Sequence, residues 1–176
     1  MMYYTSKGDD GTTGLFGSKE RQTKSGPIFE VLGGVDELNS YLGVCKAVAE
    51  NVKESVIGDI MAIIQERLFI IQAELAGSDK QILDRHTQEL EAIINKISKK
   101  IPKIKSFTIP GATELSAHID YARTLARKSE RMIVRLGDTA TTRELRQFMN
   151  RLSSLLFVMA RYASHLSGQQ EQSPKY

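Results

Sequence analysis

Five stretches of this chain repeat apolar residues with a period near 3.6, and Pro27, Pro102, Pro110 and Pro174 all fall where that pattern breaks. That period gathers the apolar side chains onto one stripe of a helix, which then has to be buried against another element. The first stretch, from about Pro27 to Glu50, carries Phe29, Leu38, Leu42, Cys45 and Ala49, with proline at its opening turn where a missing N–H is tolerated. A second, from about Lys53 to Ala76, aligns Val56, Ile60, Ile63, Ile64, Leu68, Ile71 and Leu75 and stops at Gly77. The third runs from about Thr87 to Lys100 with Leu90, Ile93, Ile94 and Ile97. Lys103 to Ile109 is the only weakly strand-like piece, and Pro110-Gly111 turns the chain into a fourth stretch, about Thr113 to Leu136, with Leu115, Ile119, Ala122, Ala126 and Ile133. The fifth opens between Thr139 and Thr141, where Thr141 and Glu144 have the spacing of a capping box, and carries Leu145, Phe148, Leu152, Leu155, Leu156, Met159 and Leu166.

Helices of about 20 residues are about 30 Å long, so five with short connections predict an all-α, five-helix antiparallel bundle. Residues 27–167 form that bundle domain, residues 1–26 a glycine-rich N-terminal loop, and residues 168–176 a flexible polar tail. A chain of 176 residues that is 41% hydrophobic fits one globular unit. Its single cysteine, Cys45, excludes an internal disulfide and reads as a small buried hydrophobe in a reducing compartment. No stretch of 18 uninterrupted apolar residues and no signal-peptide pattern are present, which predicts a cytoplasmic protein with no membrane partner. A formal charge of +3 is too small to argue for nucleic acid, and the cluster of Lys96, Lys99, Lys100, Lys103 and Lys105 reads as a solvated face.

The N-terminal loop reads Thr5-Ser6-Lys7-Gly8-Asp9-Asp10-Gly11-Thr12-Thr13-Gly14, with Gly17 continuing a glycine at every third position. Glycine lets the backbone turn through positive φ and approach a ligand closely, and the lysine and hydroxyls add donors suited to a polyphosphate. A frayed terminus has the same composition, so the loop alone leaves both readings open.

Helix four carries the clearest chemistry. Arg123, Arg127, Glu130 and Arg131 stand at i, i+4, i+7 and i+8, on one stripe beside the apolar seam. Such a stripe is either an exposed face relieved by Glu130 or, since it borders the core, a row of guanidinium forks awaiting anions. Two anions are available in principle: Asp36 and a phosphate chain on the glycine loop. Asp36 follows Gly33-Gly34 inside a helical pattern, where two glycines point to close approach by a neighbour. Asn150, in Asn150-Arg151-Leu152-Ser153, is either a ligand donor or an ordinary surface amide. His86, His118 and His165 lie apart with no Glu-x-x-His pair, which disfavours a di-iron bundle, and no Walker loop is present.

Taken together and in order, Thr5 to Thr13, Gly33 to Ser40, the Phe107/Pro110-Gly111 turn with Arg123, Arg127, Glu130 and Arg131, and Asn150 to Ser153 resemble the signatures of the PduO-type ATP:cob(I)alamin adenosyltransferases. The resemblance spans residues 4 to about 163. It implies a homotrimer that binds ATP between subunits and forms adenosylcobalamin from cob(I)alamin, releasing triphosphate. It further implies that Thr5, Ser6, Lys7, Gly8, Asp9, Gly11, Thr12, Thr13 and Lys24 hold the triphosphate with magnesium carried by the ATP. Arg127, Glu130, Arg131 and Asn150 would reach the nucleotide, Arg127 and Arg131 stabilising the leaving group. Asp36 and Arg123 would pair across subunits, and Phe107 would occupy the lower axial side of the corrin. A reductase or an adenosylcobalamin-dependent enzyme would be a partner in this scheme. A non-catalytic trimeric module that delivers or senses the cofactor is the alternative reading. Three positions depart from the family pattern: Lys128, Ala112 and Ser154.

Overall fold

The computed structural model describes residues 3–103 and 105–175. Two short strands, β1 (Thr12–Gly14) and β2 (Arg21–Thr23), precede five helices: α1 (Pro27–Asn51), α2 (Ser55–Leu75), α3 (Asp84–Ser98), α4 (Glu114–Arg135) and α5 (Arg143–Leu166). The helices pack so that α4 lies between α1 and α5, α2 covers the far side of α1, and α3 covers the far side of α5. The core is built from the predicted stripes: Leu38, Leu42 and Cys45 of α1, Ile64, Leu68 and Ile71 of α2, Leu90 of α3, Ile119, Ala122 and Ala126 of α4, and Phe148, Leu152, Leu156 and Met159 of α5 are fully buried. Each of the leucine, isoleucine, phenylalanine and methionine side chains contributes on the order of 1.5–3 kcal/mol by leaving water. On α2 the stripe also takes in Ile57 and Met61, while Val56 is exposed.

The close approach expected at the paired glycines occurs at Gly34. A Cβ there would lie 3.1 Å from Met132 Cε, and Ser129 Oγ of α4 donates to the Gly34 carbonyl at 2.9 Å. Gly33 faces open space instead. Burial pushes the Cys45 thiol up to about 12, so it stays protonated and unreactive at neutral pH.

Three local expectations are corrected. Lys103 to Ile109 forms no strand among its described residues; the chain's sheet is the β1/β2 hairpin, paired antiparallel with Thr12 opposite Thr23 and Gly14 opposite Arg21. The cap of α5 is Thr142, which accepts from Leu145 N at 3.2 Å, whereas Thr141 Oγ1 donates to the Gly137 carbonyl at 3.0 Å. α3 begins at Asp84, three residues before the expected start, because His86 Nδ1 accepts from Leu83 N at 3.1 Å and closes its first turn. The segment after Gly168 returns to the α3–α4 connection: Ile109 N donates to the Gln172 carbonyl at 2.8 Å and the Ser106 and Ser173 hydroxyls lie 2.8 Å apart.

Candidate functional site: an arginine-lined groove and a glycine hairpin

The N-terminal loop is organised by two cations. Lys24 Nζ donates to the Gly8 carbonyl at 2.8 Å, and Lys24 N donates to the Gly11 carbonyl at 2.9 Å. Arg21, which sequence reasoning passed over, donates through Nε to Thr12 Oγ1 at 2.7 Å, through Nη2 to the Thr12 carbonyl at 2.9 Å, and to the Lys7 carbonyl. Thr12 in turn donates through its backbone N and its hydroxyl to Asp10 Oδ1, at 2.9 and 2.7 Å, and these hydrogen bonds pull the Asp10 carboxyl below its ordinary value. Gly11, directly before β1, sits at φ +79°, and Gly17, in the connection between β1 and β2, at φ +73°, backbone conformations in which a side chain would be strained. Thr5, Ser6, Lys7 and Asp9 are exposed, while Gly8, Thr12 and Thr13 are half-buried. Thr5 to Thr13 and Lys24 are thus brought into one small body. No hydrogen bond or ion pair among the described residues joins that body to α4 or α5.

On α4 the four predicted residues separate by environment. Arg123 has 28% of its side chain exposed, with Nε 3.5 Å from Asp120 Oδ1. Arg127 and Arg131 are exposed, and neither makes an ion pair among the described residues. Glu130 Oε1 accepts from Asn150 Nδ2 at 3.0 Å, which joins the two helices at their predicted site residues. Arg123 and Arg127 line a shallow groove of about 270 Å³ with Ser153, Ser154, Phe157 and Val158 of α5. The structure accounts for one departure from the family pattern: Lys128 points to α1, where its Nζ lies 2.7 Å from Glu37 Oε2, and that hydrogen bond raises the ammonium pKa.

Asp36 is exposed on α1, its Oδ1 3.5 Å from Gln72 Nε2, and it does not meet Arg123 within the chain. Phe107 stands on the α3–α4 connection with 77% of its surface exposed. Its neighbour Thr108 accepts from Arg161 Nη1 at 2.6 Å. Arg161 and Asp120 form a buried ion pair between α5 and α4, their side chains 4% and 3% exposed. The signal available for this pair in the sequence is a charge at a core position of each of two apolar stripes.

Chemically, the groove offers cationic forks without a nucleophile and base in hydrogen-bond range. Among the described residues no group of three or more His, Cys, Asp or Glu gathers to hold a metal.

Comparison with solved structures identifies the class of fold. The chain superimposes with a TM-score of 0.92 over 99% of its length on 97% of a variant PduO-type ATP:corrinoid adenosyltransferase from Lactobacillus reuteri complexed with cobalamin and ATP, at 32% sequence identity. A second variant of that enzyme, complexed with ATP, matches with a TM-score of 0.89 over 98% of this chain and 99% of the other, also at 32% identity. The chain belongs to the cobalamin adenosyltransferase family, whose model matches residues 3–163. It is 40% identical over 166 residues to a corrinoid adenosyltransferase of Citrobacter freundii, covering 90% of this chain and 92% of the relative. The Bacillus subtilis corrinoid adenosyltransferase is 33% identical, over 96% of this chain and 89% of the relative. Against the longer PduO adenosyltransferase of Citrobacter freundii, 36% identical over 94% of this chain, the match spans about half, 50%, of the relative's length.

Proposed function

We propose that this chain is an ATP:corrinoid adenosyltransferase in which cob(I)alamin cobalt attacks the 5′ carbon of ATP. A Co–C bond forms, the C5′–O bond breaks, and triphosphate leaves with the electron pair. The observation that carries the reading is the state of α4: Arg127 and Arg131 are exposed and unpaired among the described residues, beside the Glu130–Asn150 hydrogen bond. Cob(I)alamin is itself a powerful nucleophile, so the protein needs no general base; its tasks are orientation and neutralising charge on the leaving group. Arg127 and Arg131 suit the second task because each offers a rigid, permanently charged fork to phosphate oxygens. Lys7, Lys24 and the hydroxyls of Thr5, Ser6, Thr12 and Thr13 would hold the phosphate chain, with Gly8 and Gly11 permitting close approach, while Glu130 and Asn150 orient the nucleoside. Magnesium bound to the triphosphate would supply further charge neutralisation.

The assembly that fits is a homotrimer. The hairpin carrying the phosphate-binding residues makes no hydrogen bond to α4 or α5 of its own chain among the described residues, which supports a site whose two halves would come from neighbouring copies. Exposed Asp36 and half-buried Arg123 would then pair across that boundary. The buried single thiol suits a reducing, cytoplasmic setting.

The test is turnover. Purified protein with MgATP and chemically reduced cobalamin should yield a light-sensitive alkylcobalamin and one triphosphate per product; a carrier or sensor would bind both substrates and leave them unchanged. Phe107, whose ring is held out into solvent, would cover the lower axial face of the corrin and exclude water and the axial base. Phe107→Ala should therefore keep the melting temperature, because little apolar surface is buried there, and keep ATP affinity by calorimetry while turnover drops. An equal loss of ATP binding would place the ring elsewhere.

A further inference from the structure

Three elements converge on one buried guanidinium. Arg161 Nη2 donates to Asp120 of α4, Nη1 donates to Thr108 Oγ1 at 2.6 Å on the α3–α4 connection, and Nε faces Glu171 in the segment after α5. One turn back on α5, the Phe157 ring lies 5.1 Å from the guanidinium carbon. A planar fork holding three partners ties their positions together, which a flexible ammonium could not do.

Thr108 directly follows Phe107, whose own ring is too exposed to anchor the connection. Among the described residues, the other hydrogen bonds of that stretch, Ile109 N to the Gln172 carbonyl and Ser106 to Ser173, run to the C-terminal segment. That segment is fastened to the bundle through Glu171, again at Arg161. Among the described residues, both routes are thus tied to the bundle's side chains at Arg161, the C-terminal segment being held otherwise by its backbone hydrogen bonds to the end of α5.

We infer that Arg161 is a positioning residue for the corrinoid half of the reaction, setting the placement of Phe107 through Thr108 directly and through Glu171 and the C-terminal segment. The inference rests on the role given to Phe107 above. It assigns Arg161 no contact with either substrate.

The test uses Thr108→Val, which deletes the acceptor and leaves the Arg161–Asp120 pair in place, and Thr108→Ser, which keeps a hydroxyl there. Turnover with reduced cobalamin, KM for ATP, melting temperature, and the absorbance and electron paramagnetic resonance of protein-bound cob(II)alamin with MgATP would be measured; the spectra report the fraction lacking a lower axial ligand. Thr108→Val should lower both kcat and that fraction by about tenfold, the effect of one lost hydrogen bond to a charged group, with KM for ATP unchanged and the melting temperature only a few degrees lower. Thr108→Ser should restore both. Phe107→Ala is run beside them. If it loses turnover while Thr108→Val does not, or if Thr108→Ser fails to restore, the positioning role is overturned and the proposed function stands. If Phe107→Ala itself keeps full turnover and the unligated fraction, the role of Phe107 fails and this inference falls with it.

Discussion

Arg127→Ala should lower kcat by about 10²–10³-fold, the usual consequence of removing one preorganised donor from a developing negative charge. The side chain is exposed and makes no ion pair among the described residues, so no structural partner is orphaned and the melting temperature should hold. An arginine left without an anion beside the groove it shares with Arg123 and Ser153 has a site to serve only when a substrate supplies the charge. Arg127→Lys keeps the charge and loses the fork, so it should recover part of the rate. Steady-state kinetics at saturating reduced cobalamin separate the terms: a loss confined to KM for ATP would mean that Arg127 binds ground state and transition state alike. A loss under about fivefold in kcat/KM would remove Arg127 from the leaving-group role altogether.

The second large effect concerns stability. Asp120→Ala should destabilise the fold by about 3–5 kcal/mol, because it leaves the buried Arg161 guanidinium without its α4 partner. At about 2–4 °C per kcal/mol for a domain of this size, the melting temperature should fall by roughly 6–20 °C. Asp120 also faces Arg123, so its removal leaves a second, half-buried guanidinium without a carboxylate partner among the described residues. The double variant Asp120→Leu with Arg161→Met should melt higher than Asp120→Ala, since apolar groups of similar volume avoid the desolvation that a lone charge suffers. Thermal denaturation followed by circular dichroism measures both. A drop no larger than a surface substitution produces would show that water or Glu171 already compensates Arg161.

The two effects belong to different layers of the same helix pair. Arg127 and Arg131 are exposed on α4 without an ion pair among the described residues, whereas Asp120 is buried and fastens α4 to α5. Arg123 lies between them, 3.5 Å from Asp120 and at the mouth of the groove. A cross-subunit contact from Asp36 to Arg123 would therefore bear on the same network that holds the Phe107 connection.

What was legible in the residues follows from how local each signal is. A stripe such as Ile64, Leu68 and Ile71 repeats over several turns, so the helices, their order and the bundle could be read without coordinates. The arginine stripe of α4 was legible for the same reason, since helical spacing places side chains on a face, whereas the hydrogen bond from Asn150 to Glu130 was not. Boundaries were less secure: Thr141 and Thr142 are adjacent and equally able to cap, and only the backbone geometry selects Thr142. The hairpin escaped because three-residue strands carry no period, and Arg21, which ties it together, stands outside any motif. Tertiary structure alone decided which partner each charge takes. Lys128 goes to Glu37, Arg161 gathers Asp120, Thr108 and Glu171, and Arg127 takes no ion-pair partner among the described residues. Periodicity is a property of consecutive residues, but an ion pair between positions 41 residues apart depends on which helices become neighbours, and that is settled only when the bundle closes.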